Sequence, residues 1–131
     1  PEMAWVQPGP LSESTVAIVT SAALHRAGDD GFRAGETEYR LLPADARDLV
    51  LGHWSPNFDR SGIAIALNVV FPIDRLEELA ERGVIGSVAE RHFSFAGHQP
   101  DDVATIIHDS GPAAAAELKA DGVDVVLLTP V

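Results

Sequence analysis

The chain has 131 residues, 46% of them hydrophobic, and a mean hydropathy of +0.08, the composition of one globular domain able to bury a core without disulfides or a structural metal. A net charge of −11, a pI near 4.6 and a single lysine, Lys119, exclude a broad nucleic-acid footprint, because neutralising phosphates requires clustered Lys and Arg. There is no cysteine, which excludes disulfides and thiolate zinc sites within these residues, and no apolar run reaches the roughly 18 residues of a membrane span.

Pro1–Ser14 carries Pro, Gly and Ser and reads as an extended lead-in to a domain over 15–131. Pro1-Glu2-Met3-Ala4-Trp5-Val6 lacks the basic-then-apolar order of a signal peptide; it is not an ordinary initiator end, so residues are expected upstream, and a cytoplasmic location is the default. Thr15–Thr20 is short and β-branched, the pattern of a strand covered on both faces. A Gly-rich, charged loop over Ala27–Thr37 follows, then a second buried strand over Asp48–Gly52. Ala66–Val70 reads as a short strand or an extended approach to Pro72. From Ile73 to Arg82 a helix is predicted, with Pro72 at its start, Ile73, Leu76, Leu79 and Ala80 on one face, Glu78 in reach of Arg82, and Gly83 at its end.

Val88–Phe95 alternates as a strand would, with Val88, Glu90, His92 and Ser94 on one face; His92 and His98 are expected at the surface or a rim. A helix from Pro100 should kink or split at Gly111-Pro112, because proline lacks the N–H that a helix interior needs. Ala113–Ala120 resumes the helix, Asp121-Gly122 closes it, and Val123–Thr129 is a third buried strand. Buried strands separated by helices predict an α/β fold, a single domain with a mostly parallel open sheet flanked by helices.

In such sheets ligands bind beyond the carboxyl ends of the strands. The first strand leads into Ser21, His25 and Arg26. His25 and Arg26 suit a carboxylate, Arg26 by a two-pronged hydrogen bond, or they form a solvated turn. The second strand leads into His53, Asn57 and Asp59, which read as pocket lining or as an Asx-stabilised loop; their spacing falls short of a metal site, and no metal is expected. Asn68 interrupts an apolar run and reads as a clamp on loop backbone or as a ligand contact. Arg75 sits in a first helical turn, unfavourable for a cation, so an anionic partner is expected, with Asp59 or Asp74 as the bland choice. Ser21, His25, His53, Asn57 and Asp59 are expected to converge on one cleft. No dinucleotide-binding fingerprint, P-loop or serine nucleophile elbow is present.

Three elements follow one another in this stretch: Asn57-Phe58-Asp59-Arg60-Ser61-Gly62, then Leu67-Asn68-Val69-Val70-Phe71-Pro72-Ile73-Asp74-Arg75-Leu76, then Gly83-Val84-Ile85-Gly86. This ordered set resembles the selenoprotein B family of the glycine, sarcosine, betaine and D-proline reductases, and the likeness runs from Thr15 to Val131. The resemblance implies an oxidoreductase that cleaves a carbon–heteroatom bond in a small amino-acid-type substrate by a thiol or selenol. It places the redox motif just beyond a strand like Val123–Val131. It implies partner redox proteins, and a homo-oligomer is the expected assembly; no added cofactor, nucleic acid or membrane is expected. The alternatives are a non-catalytic small-molecule-binding domain or subunit of the same fold, and an enzyme using His53 and Asp59 for acid–base or metal chemistry.

Overall fold

Thr15–Thr20 forms β1, the strand on which the rest of the sheet is assembled. The computed structural model describes residues 6–52 and 67–131, so His53, Asn57 and Asp59 lie outside the described residues. β1 is followed by β2 (Leu24–Arg26), β3 (Arg40–Pro43), β4 (Leu49–Leu51), helix α1 (Ile73–Glu81), β5 (Ser87–Val88), β6 (Arg91–Ser94), helix α2 (Gly111–Ala120) and β7 (Val125–Thr129). β5, β6 and β7 all pair parallel with β1, and β3 pairs antiparallel with β6. The result is the expected α/β fold, a small domain with a mostly parallel sheet between helices.

The helices divide the core. On the α1 face, Val16 and Ile18 of β1 pack with Leu42, Phe71, Ile73 and Leu76. On the α2 face, Ala17 packs with Phe93, Ala114 and Leu118. This is the period-two alternation of a strand buried on both sides. Ile73 and Leu76 are buried as the helical spacing requires, while Leu79 is half-buried against the same core. Gly83, at φ 73°, ends α1: the Val84 N–H donates to the Leu79 carbonyl (2.9 Å) and the Gly83 N–H to the Ala80 carbonyl (3.0 Å). Such a paired closure needs a residue in the left-handed region, which glycine enters without steric cost. Glu78 pairs with Arg75 (2.7 Å).

Several expectations are corrected. Leu49–Leu51 does not join the main sheet but pairs antiparallel with Leu24–Arg26 in a two-stranded sheet. The chain reaches it through Ala23, fully buried at φ 54°. Leu67–Val69 is a 3-10 turn, closed by the Val70 N–H donating to the Leu67 carbonyl three residues back, an oxygen that also accepts from the Phe71 N–H. β7 is an exposed strand, with Val126, Leu127 and Leu128 at 37%, 38% and 68% exposure, and β1 is its strand partner among the described residues.

The stretch expected as one strand over Val88–Phe95 is two, offset in register. Val16 pairs with Val88 but Val19 with Phe93, so the β5–β6 side carries two extra residues. Such an insertion interrupts the ladder and frees a buried donor. The Ile18 N–H is satisfied by a side chain, donating to His92 Nδ1 at 2.9 Å. His92 is therefore fully buried, edge-on to Phe71, rather than at a rim. Its pKa falls to about 4 because burial disfavours the imidazolium, opposed only in part by the nearby Ala89 carbonyl.

Candidate functional site

β1, β6 and β7 deliver their carboxyl ends to one edge, where a cleft of about 480 Å³ opens between the sheet and α2. Its floor is Val19, Phe95, Val126 and Leu128. Its helical wall is Gly111, Ala114, Ala115 and Leu118, with Ile106 from the turn before α2. Thr20, Ser21, Gln99 and Thr129 are the polar side chains around it.

The wall takes its shape from Gly111-Pro112. A π-helical turn over Ile106–Ser110 leads into α2, and the Gly111 N–H bonds the Ile106 carbonyl, five residues back. Pro112 has no N–H to offer the preceding turn, so the helix widens there. A Cβ on Gly111 would collide with the Ile106 carbonyl oxygen. Glycine is thus required by close backbone approach.

The strand ends are tied to each other by their own polar groups. The Thr20 hydroxyl donates to the Thr129 carbonyl (3.2 Å), and the Ser21 N–H donates to the same oxygen (3.3 Å). The Val131 N–H donates to Ser21 Oγ (2.8 Å), and the Thr129 hydroxyl donates to the Val70 carbonyl (2.8 Å). Gln99 donates from Nε2 to the Glu36 and Ala96 carbonyls (2.8 and 2.9 Å), anchoring the loop after β6. Among the described residues, none of the lining side chains titrates near neutral pH.

Of the residues singled out by sequence, Ser21 lies in the cleft and holds the backbone after β7. His25 lies on β2, its ring edge-on to Phe32 and its Nδ1 2.9 Å from the Arg26 carbonyl; it does not line the cleft. Arg26 pairs with Asp48 (3.1 Å). Asn68 clamps the start of α1, accepting from the Asp74 N–H (3.2 Å) and donating to the Asp74 carboxylate (2.8 Å). Arg75 finds its anion in Glu78, at the surface. No group of three or more His, Cys, Asp and Glu placed to hold a metal exists among the described residues, and none of their helices is long and apolar enough to cross a membrane. Gln99 and Thr129 were not singled out. The Gly111-Pro112 pair was the legible signal for the wall.

Residues 9–131 match the family model described as glycine/sarcosine/betaine reductase selenoprotein B. The chain is 36% identical over 122 residues to D-proline reductase subunit gamma of Acetoanaerobium sticklandii, covering 91% of this chain and 49% of that protein. It is 28% identical over 132 residues to glycine reductase complex component B subunit gamma of Carboxydothermus hydrogenoformans, covering 91% of this chain and 28% of that protein. The chain therefore spans about half or less of the length of these curated relatives. No solved structure matches. With nearly its whole length matched, this chain belongs to the glycine/sarcosine/betaine reductase selenoprotein B family.

Proposed function

We propose that the chain is part of an amino-acid-type reductase and that chemistry takes place at the polar rim of the cleft, where β1 and β7 end at Ser21 and Val131. The observation carrying this reading is the convergence of three parallel strand ends on one edge, with the backbone after β7 held by Ser21, in a chain of this family. The sequence has no cysteine, so the attacking thiolate or selenolate comes from polypeptide outside residues 1–131. Its anion would be stabilised by free N–H groups where a strand end meets a helix start. The anion bonds to the substrate carbon, the carbon–heteroatom bond breaks with its electron pair leaving on the heteroatom, and that atom takes up a proton. A partner dithiol protein supplies two electrons and becomes a disulfide, the carbon leaves sulfur or selenium with a proton in its place, and the thiolate or selenolate is regenerated. D-Proline and glycine, named in the relatives, are the substrates to try first, followed by sarcosine and betaine.

A non-catalytic binding subunit is the second reading, favoured by a cleft whose lining, among the described residues, lacks titratable groups. The test is reductive cleavage by the full-length protein with its complex, before and after alkylation of thiols and selenols with iodoacetamide. Loss of activity, with the alkylated residue placed directly after the β7 segment, is the expected result. Undiminished activity after complete alkylation would sink the proposal.

A further inference from the structure

The apolar groove beside α2 is a poor receptacle for an amino-acid-type substrate. Among the described residues it holds no charged side chain, and the hydroxyls of Thr20 and Thr129 are already committed to backbone carbonyls. Its geometry suits a helix. α2 lies over Ala17 and Phe93, above β1 and β6, and leaves the same face of β7 bare. Val126 pairs with Ala17 and Leu128 with Val19, so both point to the α2 side, where they are 37% and 68% exposed. The wall opposite is built of Gly111, Ala114 and Ala115, small enough for a second helix to approach closely.

Topology decides which helix. α2 carries the chain from β6 across β1 to β7. Crossover connections between parallel strands are right-handed in nearly all cases. A further crossover continuing in the same direction, from β7 to a strand on its outer edge, must therefore lie on the α2 face. That is where the groove is. The relatives supply the length, since the matched stretch is only 49% of the D-proline reductase subunit.

We propose that the groove seats an α-helix from polypeptide outside residues 1–131, running antiparallel to β7 beside α2 and leading to a parallel strand on the edge of β7 that is unpaired among the described residues. The helix start then sits over the Ser21–Val131 rim. The placement rests on the groove and the crossover hand, not on the proposed chemistry.

The test is photochemical carbene labelling of exposed side chains in this 131-residue chain, in the isolated full-length D-proline reductase subunit gamma of Acetoanaerobium sticklandii, and in its assembled complex. Sedimentation of each sample fixes its oligomeric state. The expected result is labelling at Val126, Leu128 and Ala115 here and its loss at the aligned positions of the monomeric isolated subunit. Labelling that persists there overturns the proposal. Loss confined to the assembled complex assigns the groove to a partner subunit, and loss in a dimer of this chain assigns it to a second copy; either also overturns it. Enzymatic activity enters none of these outcomes, so the reductase reading stands or falls separately.

Discussion

Acid should destabilise this fold through His92 in a way that one substitution removes. The imidazole is fully buried, its Nδ1 accepts the Ile18 N–H, and its Nε2 has no partner among the described residues. The folded-state pKa is about 4 against an ordinary 6.5. The folded pKa is depressed, so the folded state resists a proton that the unfolded chain accepts. Stability is complete above pH 6.5 and falls as pH drops toward 4, where the loss saturates. At about 1.4 kcal/mol per unit this amounts to about 3 kcal/mol. His92→Leu removes the titration and leaves the Ile18 N–H unpaired, which costs about 1–3 kcal/mol at pH 7.5. Urea unfolding of both proteins between pH 7.5 and 4.5 should give stability curves that converge as pH falls, with carboxylate titration common to both. Parallel curves, or an imidazole titrating near 6.5 by NMR in the folded protein, would refute the argument.

Gly111→Ala should lower the melting temperature by more than an exposed helix substitution does, because its Cβ meets the Ile106 carbonyl; a cost of about 1–3 kcal/mol is expected from overpacking, and an unchanged melt would show that the π turn relaxes freely. Leu76→Ala should cost about 2–5 kcal/mol in urea unfolding, and Leu79→Ala less, since Leu79 is half-buried. Asn68→Ala should cost about 1 kcal/mol by freeing the Asp74 N–H, read as a shifted urea midpoint with an unchanged slope. Arg91 bonds Asp121 through two nitrogens and pairs with Glu117, and its hydrogen bonds hold the Asp121 carboxyl below its ordinary range. That contribution is present above the unfolded carboxyl pKa and is lost as pH falls through the lower folded value. Arg91→Met should abolish it and raise the Asp121 pKa, as carboxyl NMR would report.

The central strand and the first helix were legible because each has one dominant period: TVAIVT is continuous and apolar, and Ile73, Leu76 and Ala80 repeat at helical spacing. Gly111-Pro112 announced a break, though not that it would be a π turn lining a cleft. Leu24–Arg26 and Arg40–Pro43 escaped notice because strands of three and four residues bearing Arg, His and Pro lack an alternating pattern long enough to register. His92 was misplaced because a strict alternation was extended across a two-residue insertion, and a register offset leaves no mark in one strand read alone. Val123–Thr129 has the composition of an interior strand yet stands exposed, with β1 its strand partner among the described residues: composition reports what a strand is suited to meet, not how much of it is covered. At the site, Ser21 was accessible from its position after a strand end. Gln99 was not, since a loop glutamine that anchors two carbonyls resembles any surface amide.

The pairing of β1 also bears on how the protein is made. Its partners in the sheet begin at Ser87, and its longest ladder joins Val16–Thr20 to Val125–Thr129. Among the described residues, every strand contact of this uncharged segment thus waits for residues synthesised 72 to 109 positions later. At about 5–20 residues per second that interval is about 4–22 s, during which a β-branched hexapeptide without a single charge leaves the ribosome with no mate. Local helix formation at Ile73–Glu81 cannot shelter it, because α1 buries its face only against the finished sheet. Long-range loop closure must therefore precede every strand contact of β1 among the described residues, the kind of pairing that slows folding and lengthens the exposure of an apolar strand.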